Sequence, residues 1–383
     1  MTDRVSSVAG RADVVVVGAG IAGASAAYHL SRVCRVVLLE AEDQPGYHTT
    51  GRSAALFAES YGTAQVRALT RASRTFLEAP PPGFSGQPLL SPRGALFAGH
   101  GGQVADLDAL HATLAPHGPA IARLGAADAR ALVPVLSPEW VAGGVLDPAA
   151  ADMDVNAIHQ GFLRGLRSAG GTLVCRAPVT ALRRAAGCWR VEAGGHTWEA
   201  PVVVNAAGAW CDAVASLAGV APLGLQACRR TAFTFAPPPG VDVSPWPVLI
   251  GVDESFYFKP EAGRLLGSPA NADPVPPHDV QPEAEDVATA IWRIEAATAL
   301  RIPRPGRAWA GLRTFAPDGD LVAGFDPAAD GFFWCAGQGG YGIQTCPAMG
   351  EACAALVQGL PLPAHLRQAG LDAAMLSPAR LRP

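Results

Sequence analysis

The chain has 383 residues, 29 basic and 33 acidic, for a formal net charge of −4; at about 150 residues per domain this length implies two to three domains. Such a balance offers no clustered cations to a nucleic-acid backbone, and 49% hydrophobic against 16% charged residues excludes disorder for most of the chain. Lys259 is the one lysine, so Schiff-base chemistry would rest on it alone; Cys34, Cys175, Cys188, Cys211, Cys228, Cys335, Cys346 and Cys353 form no C-x-x-C pair, which leaves no readable metal cluster and suggests buried thiols in a reducing compartment.

Residues 1–12 are polar and charged and lack the pattern of a signal peptide. With no uninterrupted apolar run of the ~18 residues a transmembrane helix needs, a soluble, cytoplasmic protein is expected. Asp13-Val-Val-Val-Val17 reads as a short strand buried on both faces. Gly18-Ala-Gly-Ile-Ala-Gly23 follows, then an alanine-rich helix over 24–32 and a second strand, Arg35-Val-Val-Leu-Leu-Glu40. Together they make a βαβ unit of about 30 residues. Residues 60–150 carry alanine-rich helical stretches and a proline-rich loop at 79–83. Pro201-Val-Val-Val-Asn-Ala-Ala-Gly208 is another strand running into a glycine turn. Short strands at 230–235, 248–252, 255–259 and 264–268, separated by Pro/Gly turns, read as an antiparallel meander, and a helix follows near 283–300. The proline clusters at 236–247 and 273–282 read as loops. Gly331-Phe-Phe-Trp-Cys-Ala-Gly-Gln-Gly-Gly-Tyr-Gly342 is a last strand and turn, opening a helix that runs to about Gln358. Three strands that each end in a glycine turn predict one parallel sheet with a ligand across its carboxyl edge.

Gly18, Gly20 and Gly23 form a dinucleotide fingerprint. The first permits the tight turn, the second lets a pyrophosphate approach the backbone, and the third lets the helix pack on the strand. The helix N-terminus adds free N–H groups and partial positive charge for the phosphates. Glu40 ends the second strand, where a carboxylate accepts from ribose hydroxyls and repels a 2′-phosphate, which argues against NADP. This unit does not separate NAD from FAD. The C-terminal Gly337-Gln-Gly-Gly-Tyr-Gly342 favours FAD, because a second helix N-terminus stabilises negative charge on a reduced flavin ring.

Several long blocks resemble the FAD-dependent D-amino-acid oxidase/dehydrogenase family, and within it the bacterial D-arginine dehydrogenases. They are Gln44-Pro-Gly-Tyr-His-Thr-Thr-Gly-Arg-Ser-Ala-Ala55, Pro88-Leu-Leu-Ser-Pro-Arg93, Asn205-Ala-Ala-Gly-Ala-Trp-Cys-Asp212, Asp253-Glu-Ser-Phe-Tyr257, Trp309-Ala-Gly-Leu-Arg313 and Gln338-Gly-Gly-Tyr-Gly-Ile-Gln344. The resemblance implies an α/β protein: a Rossmann-like FAD-binding domain built from discontinuous segments (1–60, 151–228 and 305–383), with a substrate-binding cap of mostly antiparallel sheet (61–150 and 229–304). It implies non-covalent FAD held by Gly18, Gly20, Ala22, Gly23, Glu40 and Ala41, then by the loop Thr49, Thr50, Gly51, Arg52, Ser53, Ala54, Ala55 and Leu56. Val179, Gly208 and Gly311, then Gly339, Gly340, Tyr341, Gly342, Ile343 and Gln344, complete the set.

The reaction it implies is hydride transfer from the α-carbon of a D-amino acid to the flavin, followed by hydrolysis of the imine to a 2-oxo acid and ammonia, with a quinone or oxygen as final acceptor. Arg313 and Arg230 match a carboxylate clamp, Tyr257 a phenolic donor and Tyr61 a lid; planar guanidinium forks suit a carboxylate in a dry pocket. On a strand, Arg229 faces away from Arg230, so only one of the pair reaches the ligand. His48 reads as a structural hydrogen-bonding residue. Leu56, Ala95, Val248, Gly340 and Gln344 match the substrate pocket. Two of these depart from the D-arginine enzymes: Leu56 replaces a histidine, and Ala95 replaces the glutamate that pairs with the substrate guanidinium. Losing that charge-assisted bond costs about 1.5–3 kcal/mol, so apolar or aromatic D-amino acids are expected to be favoured over cationic ones. Secondary amines of the sarcosine type and 2-hydroxy acids present the same carboxylate and remain alternatives. So does a flavin-holding subunit of an electron-transfer complex.

Overall fold

The computed structural model describes residues 8–117 and 120–382; residues 1–7 of the polar start lie outside it. At its centre is a six-stranded sheet in the order Thr172–Val174, Val36–Leu39, Val14–Val17, Val202–Asn205, Phe332–Ala336 and Val322–Phe325. The first five run parallel and the last antiparallel. Val14–Val17 and Val36–Leu39 are buried throughout because both faces are covered. Val14, Val16 and Leu38 pack on the helices Ile21–Leu30, Val155–Ser168 and Gly342–Val357. Val15, Val17, Val37 and Leu39 alternate to the other face, against a layer that includes Leu182, Trp189 and Val191 of the strands Val179–Ala185 and Cys188–Ala193. The expected parallel sheet is present. All three glycine turns lie at its carboxyl edge, as do the starts of two of the covering helices.

The second layer is a nine-stranded sheet. It holds Gln226–Phe235, Arg264–Ser268, Tyr257–Glu261 and Val248–Gly251 side by side in that order. This corrects the simple meander: the first strand pairs with the fourth, because the proline-rich stretch 236–247 carries the chain across before it turns back. Beyond Val248–Gly251 come Ala95–Gly99, Gly143–Asp147 and Ala122–Gly125. Val248–Gly251 runs parallel to Ala95–Gly99, while the other named pairs in this sheet are antiparallel. Ala308–Phe315 pairs along its length with Gln226–Phe235, so the chain returns to this sheet after the helix Ala284–Ala297.

The helix Gly342–Val357 contains Pro347, which leaves Ile343 O without its usual amide donor; the Cys346 thiol donates to it at 3.1 Å. Among the described residues, no helix is long and apolar enough to cross a membrane.

Candidate functional site

A cavity of about 520 Å³ opens at the carboxyl edge of the parallel strands. Gly18, Gly20, Ala22, Glu40 and Ala41 line it, together with Val179, Gly208 and Gly311. Gly23 does not, and its role is packing: a Cβ there would fall 1.8 Å from Gly18 O. Absence of a side chain lets the helix close onto its own loop. Ala24 is the first residue whose amide bonds back into the turn, to Gly20 O at 2.9 Å. The amides of Gly20 and Ala22 stay open at the cavity wall. Glu40 accepts from Ala19 N at 2.9 Å and from Glu42 N at 3.0 Å, which fixes its carboxylate beside that helix start.

The loop 49–56 is stitched to the start of the helix Ile21–Leu30 and to the nine-stranded sheet. Thr50 Oγ1 accepts from Ile21 N at 2.9 Å, and Thr49 Oγ1 donates to Leu312 O at 2.7 Å. Arg52 donates to Val280 O at 2.9 Å, pairs with Asp279 and receives Trp309 Nε1 on its carbonyl at 3.0 Å. Its side chain is therefore an anchor on the cavity wall. Gly51 lies off the cavity and closes a turn, donating to Gly46 O at 2.8 Å. His48 is a structural bridge as expected, 2.9 Å from Glu42 and against the Trp210 ring.

A smaller cavity of about 90 Å³ shares Ser53, Ala54, Arg230, Tyr257, Arg313, Gly340 and Ile343 with the larger one. Ala55, Leu56, Tyr61, Val248 and Gln344 also line it. The two arginines come from adjacent antiparallel strands, with Arg230 opposite Gly311 and Arg313 opposite Cys228. On one face of a sheet this diagonal brings two long side chains together, and Gly340, where a Cβ would fall 2.7 Å from an Arg313 guanidinium nitrogen, leaves room for the second of them.

Burial, and then the nearby Arg313 charge, pull Arg230 below its usual pKa. Burial also opposes the charge on Arg313, but Tyr61 and Tyr257 outweigh it and hold that guanidinium above its usual value. Among the described residues neither guanidinium forms an ion pair. Arg230 Nε donates to Asn271 O, and exposed Glu254 at the rim adds only the last of its attractions.

Arg229 points to the opposite face as expected, bonded to Asp286 at 2.8 Å and paired with Glu283 and Asp273. Replacing it, as in Arg229→Met, leaves Asp286 buried without its cation. Breaking such a pair costs about 3 kcal/mol, and an earlier urea unfolding transition checks this.

Besides Gly23 and Gly51, two further placements differ from expectation. Ala95 is fully buried and lines neither cavity, because its methyl is too short to emerge from beside Val248; Phe97, two residues along the same face, reaches the small cavity instead. Tyr341 caps the helix Gly342–Val357 and turns its ring toward Tyr61, 5.1 Å between centroids, so it packs against Tyr61 and does not line the larger cavity. Burial, then Tyr61, raises its phenol pKa. Sequence reasoning also missed Ile250, Glu254 and Lys259 on the small cavity. Alternation along the strands that carry Val248 and Tyr257 points to Ile250 and Lys259.

These groups fit FAD. Open amides at one helix start sit beside a fixed carboxylate, and a second helix start lies at Gly339–Gly342. On the smaller cavity the Gln344 amide is buried, accepts from Ala58 N at 3.2 Å, and among the described residues has no partner for its Nε2. An unsatisfied buried donor of this kind is expected where a ligand belongs.

The FAD dependent oxidoreductase (DAO) family matches residues 13–356. Glycine oxidase from Bacillus licheniformis is 26% identical over 378 residues, spanning 92% of this chain and 94% of its own. Among solved structures, the L-alpha-glycerophosphate oxidase of Mycoplasma pneumoniae with FAD bound superposes with a TM-score of 0.82 at 17% identity, over 91% of this chain and 95% of its own. L-proline dehydrogenase from P. horikoshii superposes with a TM-score of 0.80 at 20% identity, over 97% of each chain. The chain belongs to the FAD dependent oxidoreductase family, with FAD as its cofactor.

Proposed function

We propose that the protein oxidatively deaminates α-amino acids with apolar or aromatic side chains, of the D series that the sequence resemblance implies. The observation that carries this reading is the pair of inward-facing guanidiniums, Arg230 and Arg313, which share a cavity wall without a carboxylate partner. Two like charges at close range in a partly dry site call for an anion, and a substrate carboxylate supplies it through charge-assisted bonds. Tyr257 adds a phenolic donor, and Tyr61, braced on Tyr341, closes over the bound acid. Leu56, Phe97, Val248 and Ile250 form the wall left for the side chain. A cationic head against that wall would lose its water, and the carboxylate on this cavity, Glu254, is exposed at the rim while the Lys259 ammonium would repel it. FAD supplies the two-electron acceptor for the hydride that leaves the substrate α-carbon. The clamp's contribution is to fix that carbon in reach and exclude alternative poses. The imine product then takes up water to give a 2-oxo acid and ammonia. Glycine oxidase, the relative named above, is named for an amino acid, which supports the same class.

Anaerobic mixing of the yellow holoenzyme with single compounds tests this, with the flavin absorbance as readout. D-alanine, D-valine and D-phenylalanine should bleach it fastest, and D-arginine should show a kcat/KM at least about tenfold lower. A highest kcat/KM for D-arginine, or for the L-enantiomers, would overturn the reading. Bleaching by sarcosine alone would move it to N-alkyl glycines, which the compact cavity also admits. No bleaching by any amine would leave a flavin-holding subunit.

A further inference from the structure

We propose that His159 is a positioning residue for the cofactor: by holding the Ala19 carbonyl it turns the Gly20 amide toward the cavity where the FAD phosphates bind. His159 lies on the helix Val155–Ser168, far in sequence from the glycine fingerprint, and only 4% exposed. Its Nε2 is 2.9 Å from Ala19 O. A carbonyl has no proton to give, so the imidazole carries one on Nε2 and donates it. Burial, only partly opposed by this bond, lowers the pKa of the ring and keeps it neutral.

The peptide between Ala19 and Gly20 is planar and trans, so its N–H points opposite to its C=O. Pinning the carbonyl on the helix side therefore aims the Gly20 N–H the other way, and Gly20 lines the larger cavity. The other polar group of Ala19 is also held from a distance, since its amide donates to Glu40 at 2.9 Å. Both hydrogen-bonding groups of Ala19 are thus fixed by side chains outside the loop, and among the described residues the Gly20 amide has no partner.

The ring itself has little freedom. Gly46, at the start of the cofactor loop, has φ +78°, and a Cβ there would sit 2.8 Å from His159 Cε1. One imidazole therefore touches both segments that flank the cofactor cavity, the fingerprint turn and the loop that begins at Gly46.

The test measures FAD release from the full-length holoenzyme, by the rise in flavin fluorescence on dilution, for His159→Leu, His159→Asn and His159→Gln. Thermal midpoints are recorded alongside. A Gln amide nitrogen reaches the place of Nε2, Leu fills the space without a donor, and Asn donates but falls short. Leu and Asn should raise the Kd for FAD about tenfold, and Gln should stay within about threefold of the parent, whatever the order of their thermal midpoints. Unchanged affinity in all three would overturn the proposal. So would equal loosening by Gln and Leu, which would make the effect one of packing. If the Leu variant does not fold, the contrast between Gln and Asn decides in the same way.

Discussion

Replacing Arg313 with methionine is expected to cut kcat/KM by roughly 30- to 4,000-fold, mainly through KM, while the purified protein stays yellow. The estimate follows from the cost of removing one partner of a buried, hydrogen-bonded charge pair, about 2–5 kcal/mol, with each 1.4 kcal/mol worth a factor of about ten. Arg230 Nε is already committed to Asn271 O, which leaves Arg313 the fuller fork for a carboxylate. Arg230→Met should therefore do less harm than Arg313→Met. Methionine keeps much of the stem volume, so the neighbouring glycine turn need not collapse. Steady-state kinetics and the flavin-to-protein absorbance ratio check both parts. A KM for the Arg313 variant within about threefold of the parent would put the substrate carboxylate elsewhere.

The second large effect is expected at Gly23. In Gly23→Val, even the first added carbon lies 1.8 Å from Gly18 O, and Ala206 Cβ is 3.3 Å away on another side. The obstacle is backbone, so no rotamer relieves it, and the helix Ile21–Leu30 must lift from its turn. Overpacking on this scale costs more than about 3 kcal/mol. The shift carries the Gly20 and Ala22 amides out of line with the phosphates, and the protein should purify colourless and stay so when FAD is added. Gly86→Ala is the control: nothing lies within 4 Å of its added carbon, and it should be yellow with unchanged stability.

Features written into short stretches of chain were legible before any coordinates. The fingerprint glycines, the all-valine strand and Glu40 sit within one βαβ unit, where spacing alone determines who meets whom. Strand alternation separated Arg230 from Arg229, and the two lie on opposite faces. Strands with weak local signals were not legible. Ala95–Gly99, Ala122–Gly125 and Gly143–Asp147 are rich in alanine and glycine, and they become strands because the nine-stranded sheet pairs them. The same weakness hid Phe97 and misplaced Ala95. Strand order in the second sheet depended on the route of the 236–247 loop, which carries no periodic signal. His159 was invisible because its meaning lies in one bond to a carbonyl 140 positions away. Tyr341 was misassigned because a motif gives the position of a residue and not the direction of its side chain.

Gly311 and Arg313 stand two positions apart on one strand, held in register by Gln226–Phe235, with Gly311 on the larger cavity and Arg313 on both. On the proposed reading, that spacing, about 6.6–6.8 Å along the chain, ties the grip on the acid group to the bed of the redox ring by a rigid ladder. Slipping the pairing by a single position would turn both outward together. Descent with modification is thus steered to the opposite wall: exchanging Leu56, Phe97 or Ile250 alters which molecules are accepted and leaves the distance over which electrons move untouched.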